Sequence, residues 1–398
     1  MDRAVAMDVN FDEIIDRRGT HSSKWDGMEA FCGLSPKDGL PMWVADMDFR
    51  PPASVQRALE RMTAHGVYGY FGDDRPCRDA IAWWMKTRHG WDVPQGGVFF
   101  THGLVNGAAL CIDAFTRPGD GVVLTTPVYH AFARIIRASG RTLVECPLAI
   151  EDGRYAFDLA GMDAAMTGRE RMLILCSPHN PGGRVWTVGE LRGIADFCRR
   201  HDLLLISDEI HHDIVFPGHR HTVTALAAPD IADRLITMTA ASKTFNISGG
   251  HTGNVIIADE GLRKRFADRM VALGMSPNAF GMHMIEAAYS AGGADWVEAL
   301  IRYLDGNRRL FDEGIRAIPG LRSMPLEATY LAWVCFEDAG MDAAEAAKRV
   351  IGQARIAVNP GPSFGRGGDS FLRFNLATPR ARVAEAVSRL HAAFGDLQ

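Results

Sequence analysis

From residue 98 to residue 258 the chain repeats one pattern, a short apolar run followed by a stretch of helical periodicity. The runs fall at 98–100, 122–125, 142–146, 172–176, 203–207, 235–239 and 254–258. Such alternation predicts βαβ units and a mainly parallel sheet with helices on both faces, an α/β fold. Ligands of such folds bind outside the carboxyl ends of the strands, so the residues just after each run are the informative ones.

Helical periodicity precedes this region at 54–65 and 75–89. Beyond it the pattern changes to a long helical stretch over 282–318, a strand at 329–336, a helix at 343–351 and strands near Ile356 and Phe371. A chain of 398 residues exceeds the size at which one core stops growing. The expected organisation is an N-terminal arm and part of a small domain (1–50), a large α/β domain (51–285) and a C-terminal small α+β domain (286–398).

The net charge of −5 has no long single-sign runs, which argues against a nucleic-acid binder and leaves small molecules as the expected ligands. The seven cysteines are scattered and never spaced as CxxC, so they read as reduced core residues. The start, MDRAVAMDVNFDEIIDRRG, carries charges throughout, and nowhere do about 18 uncharged apolar residues run together. A cytoplasmic enzyme without a membrane segment is expected.

The chemistry-bearing residues follow the apolar runs. Lys243, in TAASKTFNISGGHTG, comes after the run 235–239. Alone it reads as a surface lysine, but a buried lysine of lowered pKa can condense with an aldehyde cofactor. Asp208 ends LLLIS and opens SDEIHHDI. It can cap a helix, bind Mg²⁺, or hold a proton on a heteroaromatic nitrogen by its charge. Gly103, Leu104 and Val105 start a helix running to about Phe115, where free N–H groups can cradle a phosphate or simply form a βα turn. Ser242 can add a hydroxyl to the same phosphate.

Tyr129, in TTPVYHAF, and Asn180, in SPHNPGG, follow the runs 122–125 and 172–176 and face the same crevice. Arg373, in FLRFNLATPR, can clamp a carboxylate bidentately, its flanks Phe371, Leu372 and Phe374 arguing against a plain solvent position. His211, His212, His219 and His221 lack HExxH or zinc spacing and read as polar surface histidines, with no metal expected. The motifs GxxxxGK[ST] and GxGxxG do not occur, and the glycine-rich GPSFGRGG near Gly365 reads as a loop.

Taken together, SDEIHHDI, SKTFNISGG, SPHNPGG, TPVYHAF and FLRFNLATPR resemble the fold-type I pyridoxal 5'-phosphate (PLP) enzymes of aminotransferase class I/II. Within that group PMWVADMDF, HGVYGY, SKTFN and TYLAW are similar to the MalY/PatB-type C–S lyases, the cystathionine β-lyase-like enzymes, over about Asp8 to Pro379. The resemblance implies Lys243 as the Schiff-base lysine, Asp208 on the pyridinium, Asn180 on the phenolic oxygen, Tyr129 on the ring face and Arg373 on the carboxylate of an amino-acid substrate. It also implies a homodimer in which Tyr70 of HGVYGY reaches the neighbouring subunit's phosphate.

The chain departs from the wider group at several positions. Ala240 and Ala241 stand before Ser242 where many relatives carry a hydroxyl residue. His251 stands where aminotransferases place a phosphate-binding arginine, and THGLVNG lacks the more usual proline. His211 replaces a tyrosine that bonds the phenolic oxygen in many aminotransferases, which favours a lyase. The expected reaction is β-elimination of a thiol from cystathionine, cysteine or an S-alkyl cysteine, with Tyr330 and Trp333 shaping the pocket for the leaving group. An aminotransferase is the second reading, and a regulatory PLP-binding protein with little turnover the third.

Overall fold

The computed structural model describes residues 9–397. The first eight residues of the charged N-terminal stretch, among them Asp8 where the resemblance begins, lie outside the described residues. The seven apolar runs form one sheet: β1 (Val98–Thr101), β2 (Gly121–Thr126), β3 (Thr142–Pro147), β4 (Glu170–Cys176), β5 (Leu204–Asp208), β6 (Leu235–Thr239) and β7 (Gly253–Ile257). Their order is β1-β7-β6-β5-β4-β2-β3, and every pairing is parallel except the two made by β7. All residues of β2, β6 and β7 are buried, as strands covered by helices on both faces must be.

The helix Leu104–Phe115 follows β1 through Gly103, whose φ of 85° a side chain would rarely adopt. A Cβ at Gly107 would come within 2.9 Å of the Val255 side chain, so glycine lets this helix lie close on the sheet. Upstream, the helices Ala53–His65 and Arg75–His89 follow the sequence reading closely. Trp84 of the second packs between Tyr289 and Phe245, with ring centroids 4.9 and 5.4 Å away, and so ties this helix to the segment that carries Lys243.

The expected single helical stretch over 282–318 is two helices, Ala279–Ala288 and Ala291–Arg316. Ser290 separates them, its hydroxyl accepting the Gly293 N–H at 3.2 Å as an N-cap, a local bond that competes with helix continuation. Beyond lies a four-stranded antiparallel sheet of β8 (Arg322–Ser323), β9 (Leu331–Cys335), β10 (Asn359–Pro360) and β11 (Phe371–Asn375), in the order β8-β9-β11-β10. Leu40–Pro41 pairs in parallel with Ile356–Ala357, which joins the N-terminal arm to this second layer. On that basis we propose the division 1–50 with 286–398 against 51–285. No helix among the described residues is long and apolar enough to cross a membrane.

Candidate active site

A cavity of about 730 Å³ opens at the carboxyl ends of the large sheet. Its wall takes Gly103, Leu104 and Val105 from the end of β1, Tyr129 from β2, Asn180 from β4, Asp208 and His211 from β5, Ser242 and Lys243 from β6, and Arg373 from β11. Of the eleven residues expected to meet the cofactor or the substrate carboxylate, Tyr70 alone lies outside it, on the surface and fully exposed.

Lys243 sits in the short helix Ala241–Thr244, held from below by Thr244, whose hydroxyl donates to buried Asp213 at 2.8 Å. The Lys243 amine donates to the carbonyl oxygen of Ala45 at 2.6 Å. Burial pulls this amine down to about 8, against the attraction of Asp46 and Asp208 and with help from Arg373. At neutral pH an amine so placed is easily freed of its proton, as nucleophilic and basic lysines require.

Asp208 is the last residue of β5, and its carboxylate accepts a hydrogen bond from the Ile210 N–H at 3.1 Å. Burial pushes its carboxyl up to about 7. A carboxylate held this way gains from any cationic N–H brought against it. Arg373 is buried and donates to Asn180 Oδ1 at 3.0 Å, to the Trp43 carbonyl at 2.8 Å and to Asn359 Oδ1 at 2.8 Å. No carboxylate pairs with it among the described residues, and burial brings it down to about 10. A buried cation held only by neutral acceptors is a receptor for an anion.

His211 is buried, and its Nδ1 has no hydrogen-bond partner. Burial, followed by Lys243 and Arg373, pushes it down to about 3, so it lines the cavity as a neutral imidazole. His212 and His221 are also buried, which corrects the expectation of a surface cluster; only His219 is exposed. Their polarity is met internally. His221 bonds Glu209 at 2.9 Å and His212 Nδ1 bonds the Glu209 carbonyl at 2.5 Å. Asp213, beside His212 and His89, takes hydrogen bonds from Trp84, Thr244 and His89.

The leaving-group pocket needs a second correction. Trp333 does not line the cavity; it stacks on Phe371 at 5.0 Å and meets Phe364, over whose ring the Arg373 guanidinium lies 5.0 Å away. Tyr330 is likewise one layer back, its hydroxyl donating to the Ala45 carbonyl at 3.0 Å. Sequence reasoning missed Ala45, Trp43 and Asn359 as site residues. The first two belong to PMWVADMDF, so the signal was present, but backbone carbonyls leave no trace in side-chain chemistry.

The family described as Aminotransferase class I and II matches residues 42–390. Cystathionine beta-lyase PatB of Bacillus subtilis is 37% identical over 388 residues, covering 97% of this chain and all of its own. Protein MalY of Escherichia coli is 32% identical, covering 96% of this chain and 97% of its own. Among solved structures, cystalysin of Treponema denticola, which contains a pyridoxal 5'-phosphate cofactor, superposes with a TM-score of 0.93 at 35% identity, covering 98% of this chain and all of its own.

Proposed function

The chain belongs to the aminotransferase class I and II family, and we propose that it is a PLP-dependent C–S β-lyase that releases a thiol from a cysteine-type amino acid, leaving pyruvate and ammonia. The observation that carries this reading is the convergence of a low-affinity lysine amine, a buried acid and a buried uncompensated arginine on one cavity.

The residues fit PLP. The first-turn N–H groups of the helix Leu104–Phe115, beside Ser242, offer a phosphate seat at a positive helix end. Ala240 and Ala241 bring no hydroxyl to that seat, so it rests on backbone N–H groups and Ser242. His251, in the left-handed conformation at φ 45°, also lines the cavity. Tyr129 supplies a ring face, Asn180 an amide, Asp208 an acid for the pyridine nitrogen and Lys243 the amine for the aldehyde. His211, whose buried Nδ1 has no hydrogen-bond partner, lines the same cavity. When bound, the cofactor supplies a ring that withdraws electrons from the substrate's Cα.

The chain's own residues do the rest. Arg373 binds the α-carboxylate and, anchored by Asn180, Trp43 and Asn359, fixes the orientation of the Cα–H bond. The Lys243 amine, freed when substrate takes its place, accepts the Cα proton as general base. The Cβ–S bond breaks with its electron pair leaving on sulfur, and the thiolate takes up a proton. The dehydroamino acid set free hydrolyses in water to pyruvate and ammonia. Asp208 would pair with the ring nitrogen of the bound cofactor, whose positive charge would favour its ionised form. Cystathionine, cysteine and S-alkyl cysteines are the proposed substrate class.

A second copy of the chain is proposed as partner, since Tyr70 and its neighbours Val67 and Tyr68 expose apolar and aromatic surface next to one another. The test of the lysine assignment is Lys243→Ala, which is expected to lose both the visible absorbance of the lysine-bound cofactor and thiol release. Thiol release at the parental rate by that variant contradicts it.

A further inference from the structure

The cavity owes one wall to a segment that carries its own buried charges. Residues 43–49 thread between the lysine-bearing segment and β11, and their backbone satisfies both sides. Trp43 O receives Arg373, Ala45 O receives Lys243 and Tyr330, Val44 O and Asp46 O receive Asn375 Nδ2 at 2.6 Å each, and Met47 and Phe49 bond the Asn246 side chain. Lys243 and Arg373 are therefore held by consecutive stretches of one turn.

That turn is pinned from its far side by cations. Arg17 forks onto both oxygens of Asp46 at 3.0 and 2.8 Å and also reaches Met47 O at 3.0 Å and Asp48 Oδ1 at 2.9 Å. Lys24, with no exposed surface, donates to Asp48 Oδ2 at 2.9 Å and to Asp46 O at 3.3 Å. Trp25 adds a bond to Asp48 at 3.0 Å, and Arg382 approaches Asp48 at 3.4 Å. Buried ion pairs contribute little net stability relative to apolar packing, so their use here points to a geometric task.

Resting on the reading of Lys243 as the reactive lysine, we propose that Arg17 and Lys24 are positioning residues, holding the turn 45–48 so that the Ala45 carbonyl receives the Lys243 amine whenever that amine is free. Arg17 at 2.8 Å, with Lys24 at 3.7 Å, also neutralises Asp46, the acid of the turn that acts on the Lys243 amine. The charged and titratable groups facing the amine are Asp46 from the turn, Asp208 and His211 from the end of β5, and Arg373 from β11, with Tyr330 sharing Ala45 O. Arg17 governs Asp46 alone in that set, so changing it perturbs one side of the balance.

The test is competitive acetylation of Lys243 in the full-length, cofactor-stripped protein, read by peptide mass spectrometry against pH. This measures the amine itself and is independent of turnover, so it can fail while the lyase reading stands. Arg17→Met, which leaves Asp46 only the Lys24 amine at 3.7 Å, is expected to move the Lys243 profile to higher pH by up to about one pH unit. Asp46→Asn is expected to move it to lower pH, and Arg17→Lys to restore most of the parental profile. A general loosening of the fold would move both variants alike or neither. Unchanged profiles in Arg17→Met and Asp46→Asn, or shifts of the same sign, overturn the proposal. Should Arg17→Met fail to fold, the downward shift in Asp46→Asn decides, and its absence overturns the proposal equally.

Discussion

Asn180 and Arg373 are hydrogen-bonded side chain to side chain, Oδ1 accepting from the guanidinium at 3.0 Å, although 193 positions separate them. The bond joins the end of β4 in the large sheet to β11 in the small one. On the proposed assignments, it makes Asn180 the support of both cofactor contact and carboxylate binding. Arg373→Lys keeps the charge but loses the fork that reaches Asn180, Trp43 and Asn359 together. The variant is expected to lower kcat/KM about 10- to 100-fold, mostly through KM, as steady-state kinetics with an S-alkyl cysteine will read.

The Lys243 amine must be neutral to attack an aldehyde. With its value near 8, PLP capture by the cofactor-stripped protein should accelerate as pH rises and level off above about 8. Below that pH the amine is protonated and has no lone pair to offer. Stopped-flow absorbance after adding PLP checks this, and a rate flat between pH 6 and 9, a window of roughly three units around that value, contradicts it.

His211 is buried as a neutral ring, its value pushed from 6.5 down to about 3. The unfolded chain therefore binds more protons than the folded one between those limits. The contribution of this residue to stability is complete above 6.5 and is lost as pH falls through the window, at up to about 1.4 kcal/mol per pH unit. His211→Gln should flatten the acid side of the stability curve of the cofactor-stripped protein, measured by urea denaturation at a series of pH values.

Tyr70 offers a test of shared sites. Lys243→Ala and Tyr70→Ala chains are each expected to have little activity. If Tyr70 serves the neighbouring subunit, a mixed dimer has one site with both residues intact, and co-expressed, doubly tagged material regains activity that neither variant shows. No recovery in isolated mixed dimers removes Tyr70 from the partner's site.

Much of this architecture was legible in the residues. The seven apolar runs became the seven strands because burial on both faces leaves a continuous apolar signature, and strand ends located Lys243, Asp208, Asn180 and Tyr129 before any geometry was known. Three things were not legible. The break at Ser290 looks helical by periodicity, because a capping serine differs from a helical one only in its hydrogen bond. The histidines at 212 and 221 look like surface residues until Glu209 is seen beside them, a partner buried in the same turn region. The role of Ala45 belongs to its carbonyl, which every residue has, so only the fold reveals it.

The most direct test of the lyase reading is product stoichiometry without an acceptor. Purified holoenzyme is given cystathionine or an S-alkyl cysteine with no keto acid, and thiol and pyruvate are both quantified. The account predicts sustained release of the two in equal amounts. Absence of thiol release, with the substrate converted to a keto acid that keeps its sulfur only when a keto-acid acceptor is added, contradicts it and identifies an aminotransferase.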